Sequence, residues 1–212
     1  MYKYMIKRLI DILFSGVALI LLMPLLLIIS LLLCLRQGRP VFFKQQRVGK
    51  DEKLFNIYKF RTMNDKKDQN GNPLADEERV TRLGIFLRSS SLDELPELWS
   101  ILKGDLSLVG PRPLIPAYLP YYTKFERERH RVRAGLIPPE VLYANPFPTW
   151  EEQLGYEAEY TYQVSFLLDV KILFSTVRCV LRRHRQGYGH YVRPGLIEER
   201  RKNDTLPDLP ID

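Results

Sequence analysis

The chain has 212 residues, with 32 Lys and Arg against 25 Asp and Glu and a formal net charge of +7. That length leaves room for one compact domain beside a membrane segment, and the basic balance suits lipid headgroups, nucleic acid or phosphorylated substrates. Its two cysteines, Cys34 and Cys179, lie far apart in separate apolar stretches, which excludes a disulfide framework or a cysteine metal site and fits a reducing cytosol.

The first element is an uncharged run of 24 residues, 12–35 (ILFSGVALILLMPLLLIISLLLCL). As a helix it reaches about 36 Å, against roughly 30 Å of hydrocarbon core. Pro24 interrupts it, lacking an N–H and clashing with the carbonyl four residues back. Lys3, Lys7 and Arg8 precede the run, and Arg36, Arg39, Lys44, Arg47 and Lys50 follow it. Basic flanks favour the cytoplasmic side. Two readings stand open: a hairpin that dips into the bilayer and returns, and a kinked single span. A cleaved signal peptide is not expected, because the run is far longer than the ~7–15 residues of such segments and no small-residue cleavage site follows.

Beyond the anchor, alternation predicts a hairpin from 40–47 and 54–60 that turns at VGKDEK. Residues 65–78, polar and punctuated by Asn-Gly and Asn-Pro, read as an exposed, mobile loop. Short helices are expected over 80–88 and 94–102. Pro111, Pro113, Pro116 and Pro120 then force an irregular crossing before a charged helix at 121–132. Residues 135–150 carry four prolines and read as loop, and a long helical pattern over 156–185 closes the fold. Its last part, 164–185, joins Phe166, Leu167, Ile172, Leu173, Phe174, Val177, Val180 and Leu181 to a basic end. It reads either as an interfacial helix or as a core helix with a solvated end. Asp169 within it is costly unless paired or hydrogen-bonded, so a site residue and a structural salt bridge both explain it. His130, His184 and His190 lack ligand spacing, and structural or surface roles are expected.

Chemistry-bearing residues concentrate in 88–113 (RSSSLDELPELWSILKGDLSLVGPRP). Ser91 with Glu94 forms an S-x-x-E capping box, but Pro96 would then fall inside the helix, at a cost of about 3 kcal/mol. With Asp93 as N-cap, Pro96 takes the third helical position, where no intrahelical N–H bond is lost. The Asp93 carboxylate would then face a positive helix end that attracts metal-bound phosphates. Lys59 and Arg61 (YKFRTM), Arg88 and Arg112 supply cations suited to phosphate, and Pro113 with Pro111 stiffens the backbone around Arg112. Carboxylates and cations beside a membrane suit phosphoryl transfer involving a lipid. Neither a Walker-type loop nor a G-x-G-x-x-G is present, so nucleotide triphosphatase and dinucleotide readings lack support. The basic residues border apolar segments rather than forming an aromatic-interleaved tract, which argues against nucleic acid.

Four blocks resemble the bacterial sugar transferases of the small monotopic phosphoglycosyl transferase family: KRLIDILFSGVALILLMP at 7–24, GRPVFFKQQRVGKDEKLFNIYKFRTM at 38–63, TRLGIFLRSSSLDELPELWSILKGDLSLVGPRPL at 81–114 and LDVKILFSTV at 168–177. The resemblance implies an α+β, mainly helical fold, with a re-entrant anchor over 1–36 broken at Pro24 and a cytosolic, membrane-associated catalytic domain over 37–212. It places the protein at the cytosolic face of the bacterial inner membrane. It implies transfer of a sugar 1-phosphate from a UDP-sugar to undecaprenyl phosphate, releasing UMP and initiating a cell-surface polysaccharide or glycoconjugate. Asp93 matches the nucleophile and a ligand of Mg²⁺, Glu94 the second acid of the pair, and Arg112 a phosphate contact. Lys59 and Arg88 match basic positions of the same pocket, while Asp169 matches an acid grouped with them without an individual role. A catalytically silent, membrane-anchored scaffold of the same fold is the competing reading, and the intact Asp93-Glu94 pair and Arg112 count against it.

The chain departs from the family in two places. Met23-Pro24 replaces Ser-Pro at the break. Residues 132–150 (VRAGLIPPEVLYANPFPTW) depart from the family's V-R/K-P-G-I/L-T/S-G-x-A-Q-V-N-G-R-N stretch, which is associated with nucleotide and sugar recognition, so sugar identity is left open.

Overall fold

The computed structural model describes residues 2–143, 148–183 and 193–202. It divides into two compact units, Met1–Asp11 with Gln46–Phe55 and Gly104–Asp212, and Ile12–Gln45 with Asn56–Lys103.

The second unit is built on α1 (Lys7–Gln37), whose first turn belongs to the other unit. Among the described residues it is the one helix long and apolar enough to cross a membrane. Helix continues through Pro24 as a single element; the ring removes one donor, and the turns on either side are retained. Ile20, Leu21 and Leu35 are 73%, 73% and 74% exposed, whereas Ile29 and Leu33 are buried against Phe60 and Leu87. The expected hairpin forms from β1 (Phe42–Val48) and β2 (Leu54–Phe60) about a tight turn at Lys50–Glu52. Residues 65–75 are largely exposed and irregular, before α2 (Asp76–Arg79), α3 (Arg82–Ser89) and α4 (Glu97–Lys103). Thr81 caps α3 by accepting the Gly84 N–H at 3.0 Å. Gly84 is required there, because a Cβ would lie 2.0 Å from the Thr62 carbonyl oxygen.

The first unit holds a parallel pair not anticipated from sequence, β3 (Leu106–Val109) and β4 (Ala134–Ile137), with Leu106 opposite Ala134 and Val109 opposite Ile137. Strands of four residues are too short for alternation to declare them, so residues 135–137 read as loop. Parallel strands need a crossover. The crossover contains α5 (Lys124–Arg127), flanked by tighter 3₁₀ segments at Pro116–Tyr121 and Glu128–Arg131. The charged helix expected over 121–132 is therefore split. Its side chains Glu126 and Arg129 are both buried, and their spacing of three matches the period of a 3₁₀ turn. The long pattern from 156 is likewise two helices, α6 (Trp150–Gln163) and α7 (Phe166–Arg183). Val164 leaves helical geometry at ψ 114°, and the Ser165 hydroxyl accepts the Leu168 N–H at 3.3 Å to begin the next helix. A further helix, α8 (Leu196–Lys202), packs Leu196 against Leu114, Trp150 and Leu154.

Along α7, Phe166, Leu167, Phe174 and Val177 are exposed while Asp169 and Ile172 are buried. His130 is buried beside the Tyr122 ring. Burial first, then Arg129 and Arg127, push its pKa down to about 3, which makes it a neutral structural residue. His184 and His190 lie outside the described residues. So does the basic end of the proposed interfacial stretch at 184–185, and nothing is described of the side chains of Val180 and Leu181.

The unit is tied to the start of α1 by Asp169. Lys7 forms a buried ion pair with Asp169 Oδ2, Tyr2 donates to the same oxygen at 2.6 Å, and Tyr160 donates to Oδ1 at 2.6 Å. The Asp11 carboxylate accepts the Leu108 N–H at 2.9 Å. Of the two explanations of Asp169, this is the salt bridge. Asp169→Asn leaves the Lys7 ammonium buried without its counter-charge. Loss of one member of such a pair costs about 3–5 kcal/mol, so a clear fall in the melting temperature of the detergent-held protein is expected, and an unchanged melt would contradict it.

Glu140 follows β4 in a turn at Pro139–Leu142. Its Oε2 is buried without a hydrogen-bond partner. Burial first, and the Glu157 carboxylate second, raise its pKa from 4.5 to about 8. Between those values the folded protein keeps a proton that the unfolded chain releases, so stability falls as pH rises through the window. Glu140→Gln stays neutral and is expected to be more stable than the parent at pH 8, by roughly 1–4 kcal/mol. The advantage should vanish near pH 4.5. Parallel pH profiles for the two proteins would contradict this account.

Candidate active site

Asp93 lies in the second unit, in a short turn at Leu92–Glu94 between α3 and α4. Sequence placed it at the N-cap of a helix over 94–102. Instead α4 begins at Glu97, and 3₁₀-type bonds join Leu95 N–H to the Leu92 carbonyl and Leu98 N–H to the Leu95 carbonyl at 3.3 and 3.1 Å. Pro96 has no N–H with which to close a helical bond back to Leu92, so the tighter turn takes that place. Ser91 ahead of it adopts a left-handed conformation at φ 57° and makes no side-chain cap, so the capping box is absent as expected.

Around Asp93 the charges are ordered by their backbones. Lys59, near the end of β2, reaches Glu94 Oε1 at 2.5 Å and Glu97 Oε1 at 3.4 Å. Arg88, on the last turn of α3, donates through Nε to Thr62 Oγ1 at 2.9 Å. The close approach allowed by Gly84 brings α3 against Thr62 and makes that bond possible. Asp93 is half-buried. Burial raises its pKa above the ordinary carboxylate value, the neighbouring Glu94 raises it further, and Lys59, its own backbone N–H and Arg88 oppose the rise. Such a carboxylate is less stabilised as an anion than one in water, and is correspondingly more basic and more nucleophilic. Ile85, Phe86 and Trp99 on α3 and α4 are exposed, which gives the same unit an apolar surface.

Of the residues singled out in the sequence, Lys59, Arg88, Asp93 and Glu94 come together. Arg61 does not join them. It is buried, its guanidinium donates to the carbonyls of Gln37 and Gly38 and to Asp65 Oδ2 at 3.0 Å, and it closes the C-terminal end of α1, where a cation is favoured. Arg112 and Pro113 belong to the first unit, directly after β3, and Asp169 to the same unit. Sequence reasoning missed Glu97, a buried acid four residues beyond Asp93 that shares Lys59 with Glu94. Its helical spacing was the available signal. Thr62 and the buried pair Arg129–Glu157 were also missed, since nothing local distinguishes them from surface polar residues.

Mg²⁺ is usually held by one or two carboxylates plus substrate phosphates rather than by a full protein cage. The adjacent Asp93 and Glu94, whose mutual repulsion a cation would relieve, fit that manner of binding. Among the described residues there is no cluster of three or more acidic, His or Cys side chains that could hold a metal alone.

The bacterial sugar transferase family model matches residues 2–183. An uncharacterized sugar transferase of Bacillus subtilis is 49% identical over 147 residues, covering 69% of this chain and 73% of its own. A second Bacillus subtilis protein, named as a putative undecaprenyl-phosphate N-acetylgalactosaminyl 1-phosphate transferase, is 41% identical over 73% of this chain and 79% of its own. The UDP-N-acetylgalactosamine-undecaprenyl-phosphate N-acetylgalactosaminephosphotransferase of Aeromonas hydrophila is 38% identical over 83% of this chain, which spans 44% of that protein. With its acid pair and cations arranged in a family match that runs from the anchor to α7, the chain belongs to the bacterial sugar transferase family and is a phosphoglycosyl transferase.

Proposed function

We propose that this protein transfers a sugar 1-phosphate from a UDP-sugar to undecaprenyl phosphate, releases UMP, and thereby starts a cell-surface polysaccharide or glycoconjugate. The observation that carries this reading is the Asp93-Glu94 pair set against Lys59 and Arg88, in a chain whose relatives are named for transfer to undecaprenyl phosphate. An Asp93 oxygen attacks the β-phosphorus of the donor. The bond from that phosphorus to the bridging oxygen breaks, and UMP leaves with the electron pair. The sugar phosphate is then held as an acyl phosphate on Asp93. An oxygen of undecaprenyl phosphate attacks the same phosphorus and restores the Asp93 carboxylate. Glu94, held by Lys59, orients or deprotonates the acceptor phosphate. Arg112 is assigned to a donor phosphate by its match to the family's G-P-R-P stretch, and its fork suits bidentate contact. Mg²⁺, held by Asp93, would neutralise charge on the diphosphate. Exposed apolar residues Ile85, Phe86 and Trp99 favour an acceptor that stays in a membrane.

The reading extends to topology: α1 enters the inner membrane and returns, with both ends and the catalytic domain on the cytosolic face. Its support is that both flanks of the apolar run are basic, Lys3, Lys7 and Arg8 before it and Arg36, Arg39 and Lys44 after it, which favours the cytoplasmic side for each end, with Pro24 near the middle of the run. Loop 132–150 differs from the family's recognition stretch, so the sugar is to be found by assay.

A panel of UDP-sugars, with nanodisc-held protein, Mg²⁺ and undecaprenyl phosphate, is expected to yield UMP from one donor. Asp93→Asn is expected to lose turnover and covalent labelling by donor while melting like the parent, and near-normal activity in that variant would remove Asp93 as nucleophile. For topology, a cysteine placed ahead of Met1, with Cys34 and Cys179 replaced by Ser, should resist an impermeant maleimide on intact cells. It should react once the inner membrane is opened. Labelling from outside would sink the re-entrant reading.

A further inference from the structure

Arg112 is exposed, yet both of its backbone polar groups are held by buried charged side chains. Its N–H donates to Glu157 Oε1 at 3.1 Å, and its carbonyl accepts from the Arg129 guanidinium. Arg129 and Glu157 are 1% and 0% exposed, and they pair with each other through Nε and Oε2 at 2.6 Å. Gln153 donates to Glu157 Oε1 at 3.1 Å, and the Tyr122 hydroxyl accepts from Arg129 at 3.4 Å. All of these residues lie in one unit.

The flanking backbone is held as closely. Gly110 N–H donates to the Ile137 carbonyl at 3.1 Å, and Gly135 N–H donates to the Pro111 carbonyl at 2.8 Å. A Cβ on Gly135 would lie 2.1 Å from the Gly110 nitrogen, so the two strands approach to a distance only glycine permits. Pro111 and Pro113 fix φ on either side of Arg112. In residues 110–112, the N–H groups of Gly110 and Arg112 and the carbonyls of Pro111 and Arg112 are all engaged, and Arg112 is exposed.

We propose that the buried Arg129–Glu157 pair is a clamp that sets Arg112 for the donor phosphate, making both members positioning residues of the transfer reaction. The inference rests on Arg112 being a donor-phosphate contact. A buried ion pair is weak support for stability alone, because apolar residues of similar volume often serve as well or better. This one grips the two backbone groups of a single exposed cation. Arginine-to-phosphate recognition is geometric, and a misplacement of about 1 Å costs up to about 100-fold in rate.

The test is a double-mutant cycle on donor kinetics with the parent protein, Arg112→Ala, Glu157→Gln and the double variant, held in nanodiscs with undecaprenyl phosphate and the UDP-sugar that the panel identifies. Glu157→Gln keeps an oxygen for the Arg112 N–H and withdraws the charge that holds Arg129. It is expected to raise donor KM and lower kcat/KM by about 10–100-fold in the parent. In the Arg112→Ala background it should change kcat/KM less than about 2-fold. Equal factors in both backgrounds, or no effect in the parent while Arg112→Ala is impaired, would overturn the clamp. A fully active Arg112→Ala would instead overturn the phosphate role of Arg112, and the clamp with it. If Glu157→Gln does not fold, Arg129→Lys takes its place, since one ammonium keeps the charge but cannot serve both Glu157 and the Arg112 carbonyl as the fork does. Amide exchange in the parent needs no variant. The Arg112 N–H should exchange far more slowly than an open loop amide, and unprotected exchange would overturn the proposal.

Discussion

The buried contact between Lys7 and Asp169 is the constraint on which the first unit depends. A chain that begins with a long apolar helix must bring that helix back to a water-soluble body, and it does so through a charged first turn. Taking an ammonium and a carboxylate out of water is costly unless geometry is good and the remaining lone pairs are satisfied. Here Tyr2 and Tyr160 supply those bonds to the two Asp169 oxygens. One helical turn on, Asp11 accepts the N–H of Leu108 in β3. Because β3 runs directly into Gly110 and Arg112, the start of the anchor, the parallel strand pair and the exposed arginine form one continuous chain of fixed contacts.

The acids of this protein divide by how their charge is met. Glu157 and Asp169 are buried, and each accepts from several donors in the interior of the fold. Asp93 is only half-buried and sits beside Glu94, with its pKa raised by burial and by that neighbour. A carboxylate in the first setting is inert because its lone pairs are engaged. A carboxylate in the second lies higher in free energy and gains from bonding to phosphorus or to a cation. The same residue type thus serves as scaffold in one unit and as candidate nucleophile in the other.

Exposed apolar side chains recur on α1, on α7 and on the α3–α4 segment. Groups of exposed apolar side chains on one element are unfavourable in water and mark contact with lipid or another apolar partner. On α7 the pattern is two-sided: Ile172 and Asp169 face the interior, and Phe166, Leu167, Phe174 and Val177 do not. That distribution matches an interfacial helix better than a core helix, and it agrees with an acceptor carried on a polyprenyl chain.

The long apolar helix, the hairpin at β1 and β2 and the helix at α3 were legible in the residues themselves, because each depends on local chemistry. The parallel strands β3 and β4 were not, since segments as short as LSLV and AGLI carry no period and are strands only because each lies beside the other. The place of Asp93 changed for a similar reason, as the turn that holds it is set by Pro96 together with the docking of α3 on Thr62. Sequence alone picked out candidate groups for the chemistry and the apolar helix that precedes them. Tertiary structure alone decided that Arg61 closes a helix and that Asp169 anchors one. It also decided that Arg129 and Glu157 grip the backbone of Arg112. A buried charge acquires its role from partners that folding brings from distant parts of the chain, and no local pattern records those partners.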